Sequence, residues 1–486
     1  SLQVQLKLGS VLGTESTIMG RRVRSFLGIP FAEKPLGADR FRPPRVKRAW
    51  NGTLDATRLS PACYQGRDTY NESFWGAEMW NANTAMSEDC LYLNIWAPAD
   101  AFNLTVMAWI FGGGFWYGSP SLLLYDGKAL AVTGNVVVVN INYRIGPFGY
   151  LYLGHDGAPG NVGMIDQQMA LYWIKDNIFN FGGNPGRLTL FGESAGASSI
   201  VAHMIAPASR DLFTNGILQS GSLDNRWAMD SPERALDKSR QLVTLVGCNK
   251  TTVGGAIQGE DDSMSCMRAV SPQTLIDHMW SLDLAFLEFP LVLVSKDKNF
   301  FKYKDAFAAL RSGDFRKDVN IMIGINHDEG NFWNIYNLAE FFDKQQQPEI
   351  TKADFHTCID RAFVKQPTLV RYAARYVNQM VGDYFFTCDS LWLADKLSLS
   401  RTPDQGKVFI YYFDQPSSAN PWPKWTGVMH GYEIEFVFGV PLHNETAGWR
   451  GYSSREQKFS EKPMDARKRV ECDLWRHAKD IEYRQY

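Results

Sequence analysis

Gly192-Glu193-Ser194-Ala195-Gly196 sets a serine between two glycines, directly after an apolar run (RLTLFG, 187–192) and ahead of a small-residue stretch (SAGASSIVAHMIA, 194–206). A strand turning sharply into a helix here would hold the serine in a strained backbone conformation and leave no room for flanking side chains. The hydroxyl would stand above the sheet, with the helix N-terminus aiming N–H groups at the carbonyl under attack. A serine alone is a poor nucleophile at neutral pH. The pattern therefore requires a base, an acid to orient it, and donors for an oxyanion. Phe111-Gly112-Gly113-Gly114-Phe115 closes an earlier apolar strand and offers those donors, the N–H groups of Gly113 and Gly114, with that of Ala195 beside the serine. A phosphate loop is the competing reading of the glycines, but no Gly-Lys-Ser/Thr follows them.

In such a site the acid follows the serine in the chain and the histidine follows the acid. His430, in GVMHGYEIEFVFG (427–439), stands late enough to be the base, and only eight histidines compete for the role. His203, within the stretch after the serine, is assigned to packing. His327 is a rival because it adjoins the acid motif, Asn326-His327-Asp328-Glu329-Gly330, which ends the apolar run IMIGI. Asp328 and Glu329 are both open as the acid on residue physics alone.

These residues need rigid elements to hold them. Residues 2–8 alternate as a strand does, and LYLNIWAP (91–98) and VMAWIFGGG (106–114) read as strands ending in turns. NVVVVNINYR (135–144) is a continuous apolar run, expected to be buried on both faces of a sheet. Residues 164–180 place Met169, Trp173, Ile174 and Ile178 at helical spacing. GILQSGS (216–222), VNIMIGINHDEG (319–330) and KVFIYYFD (407–414) repeat the strand signal. Strand, helix, strand, turn, helix is the order of an α/β protein with a large, mostly parallel central sheet flanked by helices. No repeat or linker divides the chain, so one domain over residues 1–486 is expected.

Composition narrows the function. Lys and Arg (50) balance Asp and Glu (52), which argues against a nucleic-acid binder or a polybasic membrane surface. No stretch approaches the roughly 20 apolar residues that span a bilayer. The start, SLQVQLKLGS, lacks an apolar signal core, so a leader is expected to have been removed already. Seven cysteines and five Asn-X-Ser/Thr sites, at Asn51, Asn71, Asn103, Asn249 and Asn444, favour a secreted, extracellular glycoprotein. No cofactor and no metal site is expected. Aromatics at 13% are enough to line a cavity as well as fill a core.

Six motifs resemble the type-B carboxylesterases, most closely the cholinesterases: SEDCLYLNIW (87–96), GGGF (112–115), APGNVGMIDQQMAL (158–171), FGESAGA (191–197), DEG (328–330) and HGYEIEFVFG (430–439). They keep the family's order from about residue 20 to residue 460. The resemblance implies an α/β-hydrolase fold and settles the acid on Glu329, giving a triad of Ser194, Glu329 and His430. It also implies disulfides Cys63–Cys90, Cys248–Cys266 and Cys388–Cys472, leaving Cys358 unpaired.

By the same resemblance, Trp80 matches the tryptophan that holds the quaternary ammonium of choline by cation–π attraction. Glu193, Phe332 and Tyr125 complete the choline-binding set. Leu287, Phe289, Trp227 and Trp333 shape the acyl pocket, while Trp422 and Tyr432 support the gorge. One phenylalanine where vertebrate acetylcholinesterases have two suggests an invertebrate-like enzyme that prefers acetyl esters and tolerates larger ones. Asp68, Trp116, Trp280 and Tyr336 match the peripheral rim, where Gly66 and Trp116 replace expected tyrosines. The substrate implied is a choline ester, with a broad-specificity carboxylesterase or butyrylcholinesterase-like enzyme as the alternative and a non-catalytic adhesion module as a more distant one. The segment between KFSEK (458–462) and Cys472 is shorter than in the family, and a soluble monomer is expected.

Overall fold

The computed structural model describes residues 2–70, 73–249, 260–342, 345–363, 377–443, 472–473 and 475–476. The sequons at Asn71 and Asn444 and most of the shortened C-terminal segment lie outside them. Among the described residues, nine strands form one twisted sheet. They are β1 (Thr14–Ile18), β2 (Arg21–Pro30), β3 (Tyr92–Pro98), β4 (Leu104–Ile110), β5 (Val137–Ile141), β6 (Gly183–Glu193), β7 (Asn215–Gln219), β8 (Asn320–Asn326) and β9 (Val408–Phe413). Their spatial order is β9-β8-β7-β6-β4-β5-β3-β2-β1.

The sheet is mixed, and the split carries meaning. From β5 through β4, β6, β7 and β8 to β9 every neighbouring pair is parallel. β3 pairs antiparallel with β5, and β2 and β1 continue antiparallel to the edge. The parallel half brings the carboxyl ends of β4, β6 and β8 to one edge, where loops can converge on a ligand. The alternating N-terminal segment pairs outside this sheet, as a hairpin of Gln3–Leu6 with Gly9–Leu12.

Burial explains the apolar runs. All five residues of β5 are buried, as a strand covered on both faces requires; each fully buried Val or Ile contributes about 1.5–3 kcal/mol. Helix α1 (Val162–Asn177) buries Trp173 and Ile174, with Met169 half-buried and Ile178 just past its end. Helix α2 (Ala195–Ile205) is buried at every residue. Only small side chains on its first turn allow that approach, because a Cβ on Gly196 would collide with the Ile110 carbonyl of β4. No helix among the described residues is long and apolar enough to cross a membrane.

Candidate active site

β6 ends at Glu193 and α2 begins at Ala195, so Ser194 alone makes the turn. Its φ is +55° and ψ −117°, a conformation costing a non-glycine residue about 1–3 kcal/mol. The turn is held by the Ser194 N–H donating to the Gln219 carbonyl of β7 at 2.8 Å. On its other side a Cβ at Gly192 would meet the Ile110 carbonyl at 2.6 Å. Neighbouring strands thus fix the serine, and the flanking glycines exist to let them close in.

His430 Nδ1 lies 2.7 Å from Glu329 Oε2, with both side chains buried. Glu329 opens helix α3 (Glu329–Asn337) directly after β8, and its other oxygen accepts the Asn326 N–H at 2.8 Å. Adjacent Asp328 points elsewhere. It accepts the Val428 N–H at 3.0 Å and the Asn378 amide at 2.9 Å, stapling the histidine loop to α3. His327 is more than half exposed, pairs with Asp328 at 2.9 Å, and does not line the pocket that holds Ser194. His203 is wholly buried between Ser209 (2.8 Å) and Gln167 (3.0 Å), and burial depresses its pKa to about 3. It is a packing residue.

The far nitrogen of His430, Nε2, has no hydrogen-bond partner among the described residues and faces Glu193 Oε1 at 3.1 Å. Burial pushes the Glu193 carboxyl up to about 8, with Glu433 and Glu329 adding to the effect against His430. Burial opposes the charge on His430, yet the carboxylates of Glu193, Glu329 and Glu433 outweigh it and raise the ring to about 9. The two groups share protons.

The glycine loop supplies what an oxyanion needs. Gly113 and Gly114 sit at φ +107° and +56°, and a Cβ on Gly113 would strike the Tyr117 carbonyl. Among the described residues the N–H groups of Gly113, Gly114 and Ala195 have no hydrogen-bond partner.

A small buried pocket of about 10 Å³ joins these parts. Ser194, Glu193, His430, Gly113, Tyr125, Trp80 and Phe332 line it together. It shares Trp80, Tyr117 and Phe332 with an outer chamber of about 860 Å³, whose walls include Asp68, Trp116, Trp280, Leu287, Phe289, Trp333 and Tyr336. The Trp80 ring meets Tyr432 edge-on at 6.0 Å, and the Trp422 indole N–H donates to the Tyr432 hydroxyl. These last two rings therefore back Trp80 rather than line the cavity. Trp227 is also set back: it donates to the Phe385 carbonyl at 3.0 Å and buttresses Phe289 at 5.9 Å. At the mouth the Tyr336 hydroxyl donates to Asp68 at 2.5 Å. Trp280, nearly half exposed, meets Trp116 edge-on at 4.8 Å. Among the described residues no group of His, Cys, Asp and Glu is arranged to hold a metal ion.

The family model described as the carboxylesterase family matches residues 1–467. The chain belongs to the carboxylesterase family. Acetylcholinesterase 4 of Caenorhabditis briggsae is 52% identical over 558 aligned positions, covering 99% of this chain and 91% of that protein. That alignment is longer than the 486 residues of the chain, so the relative has residues without a counterpart here. The acetylcholinesterase of Electrophorus electricus is 40% identical, with 95% of this chain and 78% of that protein covered. The corresponding beetle protein, from Leptinotarsa decemlineata, is 38% identical, with 96% and 77% covered. As a member of this family the chain is a serine carboxylic ester hydrolase with the α/β-hydrolase fold.

Several carboxylesterase-site residues escaped the sequence reading. Tyr117 lines both chambers; its position just past the glycine loop was the available signal. Phe386 stacks on Trp333 at 5.7 Å and lies 4.5 Å from the His430 ring. It comes from a π-helical turn, Asp383–Thr387, that no short motif announces. Glu433 accepts from Gln219 at 3.0 Å and from Asn326, tying the carboxyl ends of β7 and β8 to the histidine loop; it was visible inside HGYEIEF as a carboxylate three residues past His430. Cys63–Cys90, Cys248–Cys266 and Cys388–Cys472 are joined as disulfides. Cys358 is a buried free thiol, raised to about 11 by burial. Asn51, Asn103 and Asn249 are exposed.

Proposed function

We propose that the chain hydrolyses acetylcholine to choline and acetate through an acetyl-serine intermediate on Ser194. His430 Nε2 takes the Ser194 proton as Oγ attacks the ester carbonyl. The N–H groups of Gly113, Gly114 and Ala195 hold the oxyanion while the tetrahedral centre forms. The ester C–O bond then breaks, and His430 returns the proton to the departing choline oxygen. Water repeats the sequence on the acetyl-enzyme, with Glu329 orienting the ring and offsetting its positive charge throughout.

One observation carries the choice of substrate: Trp80 lines the same pocket as Ser194 and His430. A quaternary ammonium on the Trp80 face gains roughly 0.5–2 kcal/mol without a tight ion pair, so product can leave. Glu193, Tyr125 and Phe332 complete that wall. Leu287 and Phe289, backed by Trp227 and Trp333, bound the acyl side, and Asp68, Trp116, Trp280 and Tyr336 form the rim. The acetylcholinesterase names of the Caenorhabditis briggsae, Electrophorus electricus and Leptinotarsa decemlineata relatives support the same reading. Secretion, supported by three disulfides in one chain, glycosylation at Asn51, Asn71, Asn103, Asn249 and Asn444, and a monomeric state complete the reading. A fluorophosphonate probe followed by peptide mass spectrometry tests the nucleophile. The adduct is expected on Ser194, and Ser194→Ala should fold, resist the probe and lose turnover. An adduct elsewhere, or substantial hydrolysis by the variant, would overturn the assignment.

A further inference from the structure

The loop 286–290 (FLEFP) alternates its side chains between two environments. Leu287 and Phe289 are buried and face the outer chamber, and Leu287 is held at a φ of +52°. A β carbon on Gly114 would touch the Phe289 ring at 2.8 Å, so this ring rests against the glycine loop beside the nucleophile. Glu288, between them, also borders that chamber, and its carboxylate turns to a cluster of charges. Its carboxylate takes Arg234 Nε at 2.7 Å and a second guanidinium N–H at 2.9 Å, plus the Ala285 N–H at 2.8 Å.

Beneath it lies Lys238, on the helix Pro232–Leu245, with no exposed surface at all. A fully buried lysine is uncommon and requires full compensation. Its ammonium has three donors and finds three acceptors: Asp230 Oδ2 at 2.8 Å, Glu288 Oε1 at 2.9 Å and the Phe289 carbonyl at 2.9 Å. Lys238, Arg234, Asp230 and Glu288 thus close a paired cluster around the backbone of the acyl-side loop, with Asp237 on its outer side taking Arg234 at 2.8 Å. Lys238 lines neither chamber; it reaches the site only through the residues it holds.

We infer that Lys238 is a positioning residue for acyl selectivity, fixing Phe289 through its carbonyl and Glu288 so that the pocket admits acetyl and resists longer acyl groups. The inference rests on the choline-ester reading above. Without Lys238 the Phe289 carbonyl loses its donor and Asp230 its counter-ion, so the loop can relax outward and open the acyl side. Hydrophobic pockets discriminate against extra methylenes by about 10- to 200-fold, and a displaced wall forfeits that discrimination while the nucleophile stays intact.

The test compares kcat/KM for acetylthiocholine and butyrylthiocholine in wild type, Lys238→Met and Glu288→Gln, each normalised to active sites by fluorophosphonate titration. The acetyl-to-butyryl ratio should fall about tenfold in Lys238→Met through a gain in butyryl turnover, with acetyl kcat within about threefold of wild type. Glu288→Gln removes the charge and turns one accepting oxygen into a donating NH2, giving up the bonds that oxygen accepts, and should shift the ratio the same way by a smaller factor. It serves alone if the lysine variant does not fold. A ratio unchanged in the variants that fold, with both substrates slowed in proportion, would mean a purely structural role and would overturn the inference. Failure of the wild-type enzyme to hydrolyse acetylthiocholine would instead overturn the functional reading, so the two failures are distinct.

Discussion

His430 stands among the carboxyl groups of Glu193, Glu329 and Glu433, and the number of protons on that cluster decides when it works as a base. The sign follows from the pull of the anions. They favour the charged ring, so activity must rise with pH as the imidazolium gives up its proton. Glu193→Gln removes the carboxylate facing Nε2. The acid limb of the kcat/KM profile for a neutral ester should therefore move to lower pH, by about one unit. A limb that stays in place or moves up would show that Glu193 does not load the ring. Glu329→Gln keeps the size of the orienting group but not its charge, and should lower kcat by about 10³- to 10⁴-fold with little change in KM. A loss under tenfold would return the acid role to its neighbours. Asp328→Asn addresses the alternative the sequence left open: because Asp328 bonds the Val428 N–H and Asn378, its loss should cost stability more than rate.

At the scale of elements, the turn from β6 to α2 is where steric fit and chemistry meet. Gly196→Ala would drive a methyl into the Ile110 carbonyl, costing about 1–3 kcal/mol or more and displacing the oxyanion N–H groups. A thermal scan that shows no loss would contradict that contact. α2 also carries His203, whose ring stays neutral in the fold down to about 3, against an ordinary 6.5. Between those values the unfolded chain binds a proton that the folded chain refuses, so stability falls as pH drops below about 6.5. His203→Gln should reduce that acid dependence of Tm relative to wild type, and identical slopes would refute it. The G-x-S-x-G turn, the glycine loop and the apolar strands were legible because each is a local pattern with a steric reason. The antiparallel half of the sheet was not, since pairing direction depends on partners far away in the chain. Asp328 and Glu329 were inseparable for a related reason: only the register of β8 against the histidine loop decides which carboxylate meets the ring. Lys238 gave no signal in the sequence, because nothing in PERALDKSRQLVTL (232–245) foretells the acidic loop that covers it.

Over the whole molecule, the cavity is a joint product of distant segments. Trp80 comes from the loop closed by Cys63–Cys90, Ser194 from the sheet, Phe332 from α3 and His430 from beyond β9. Cys388–Cys472 closes a span of 84 residues that contains β9 and His430. Cys388→Ser should lower unfolding stability by about 2–5 kcal/mol, and a loss below about 0.5 kcal/mol would show that the bond constrains little. The central claim is that this cavity selects an ester for its cation. The most direct measurement compares kcat/KM for acetylthiocholine with that for its neutral 3,3-dimethylbutyl thioacetate isostere, in wild type and in Trp80→Ala. A cation–π contribution of about 1–2 kcal/mol predicts a preference of roughly 5- to 30-fold for the charged ester, lost when Trp80 is removed. Equal rates on the two esters, or an unchanged preference in Trp80→Ala, would contradict it.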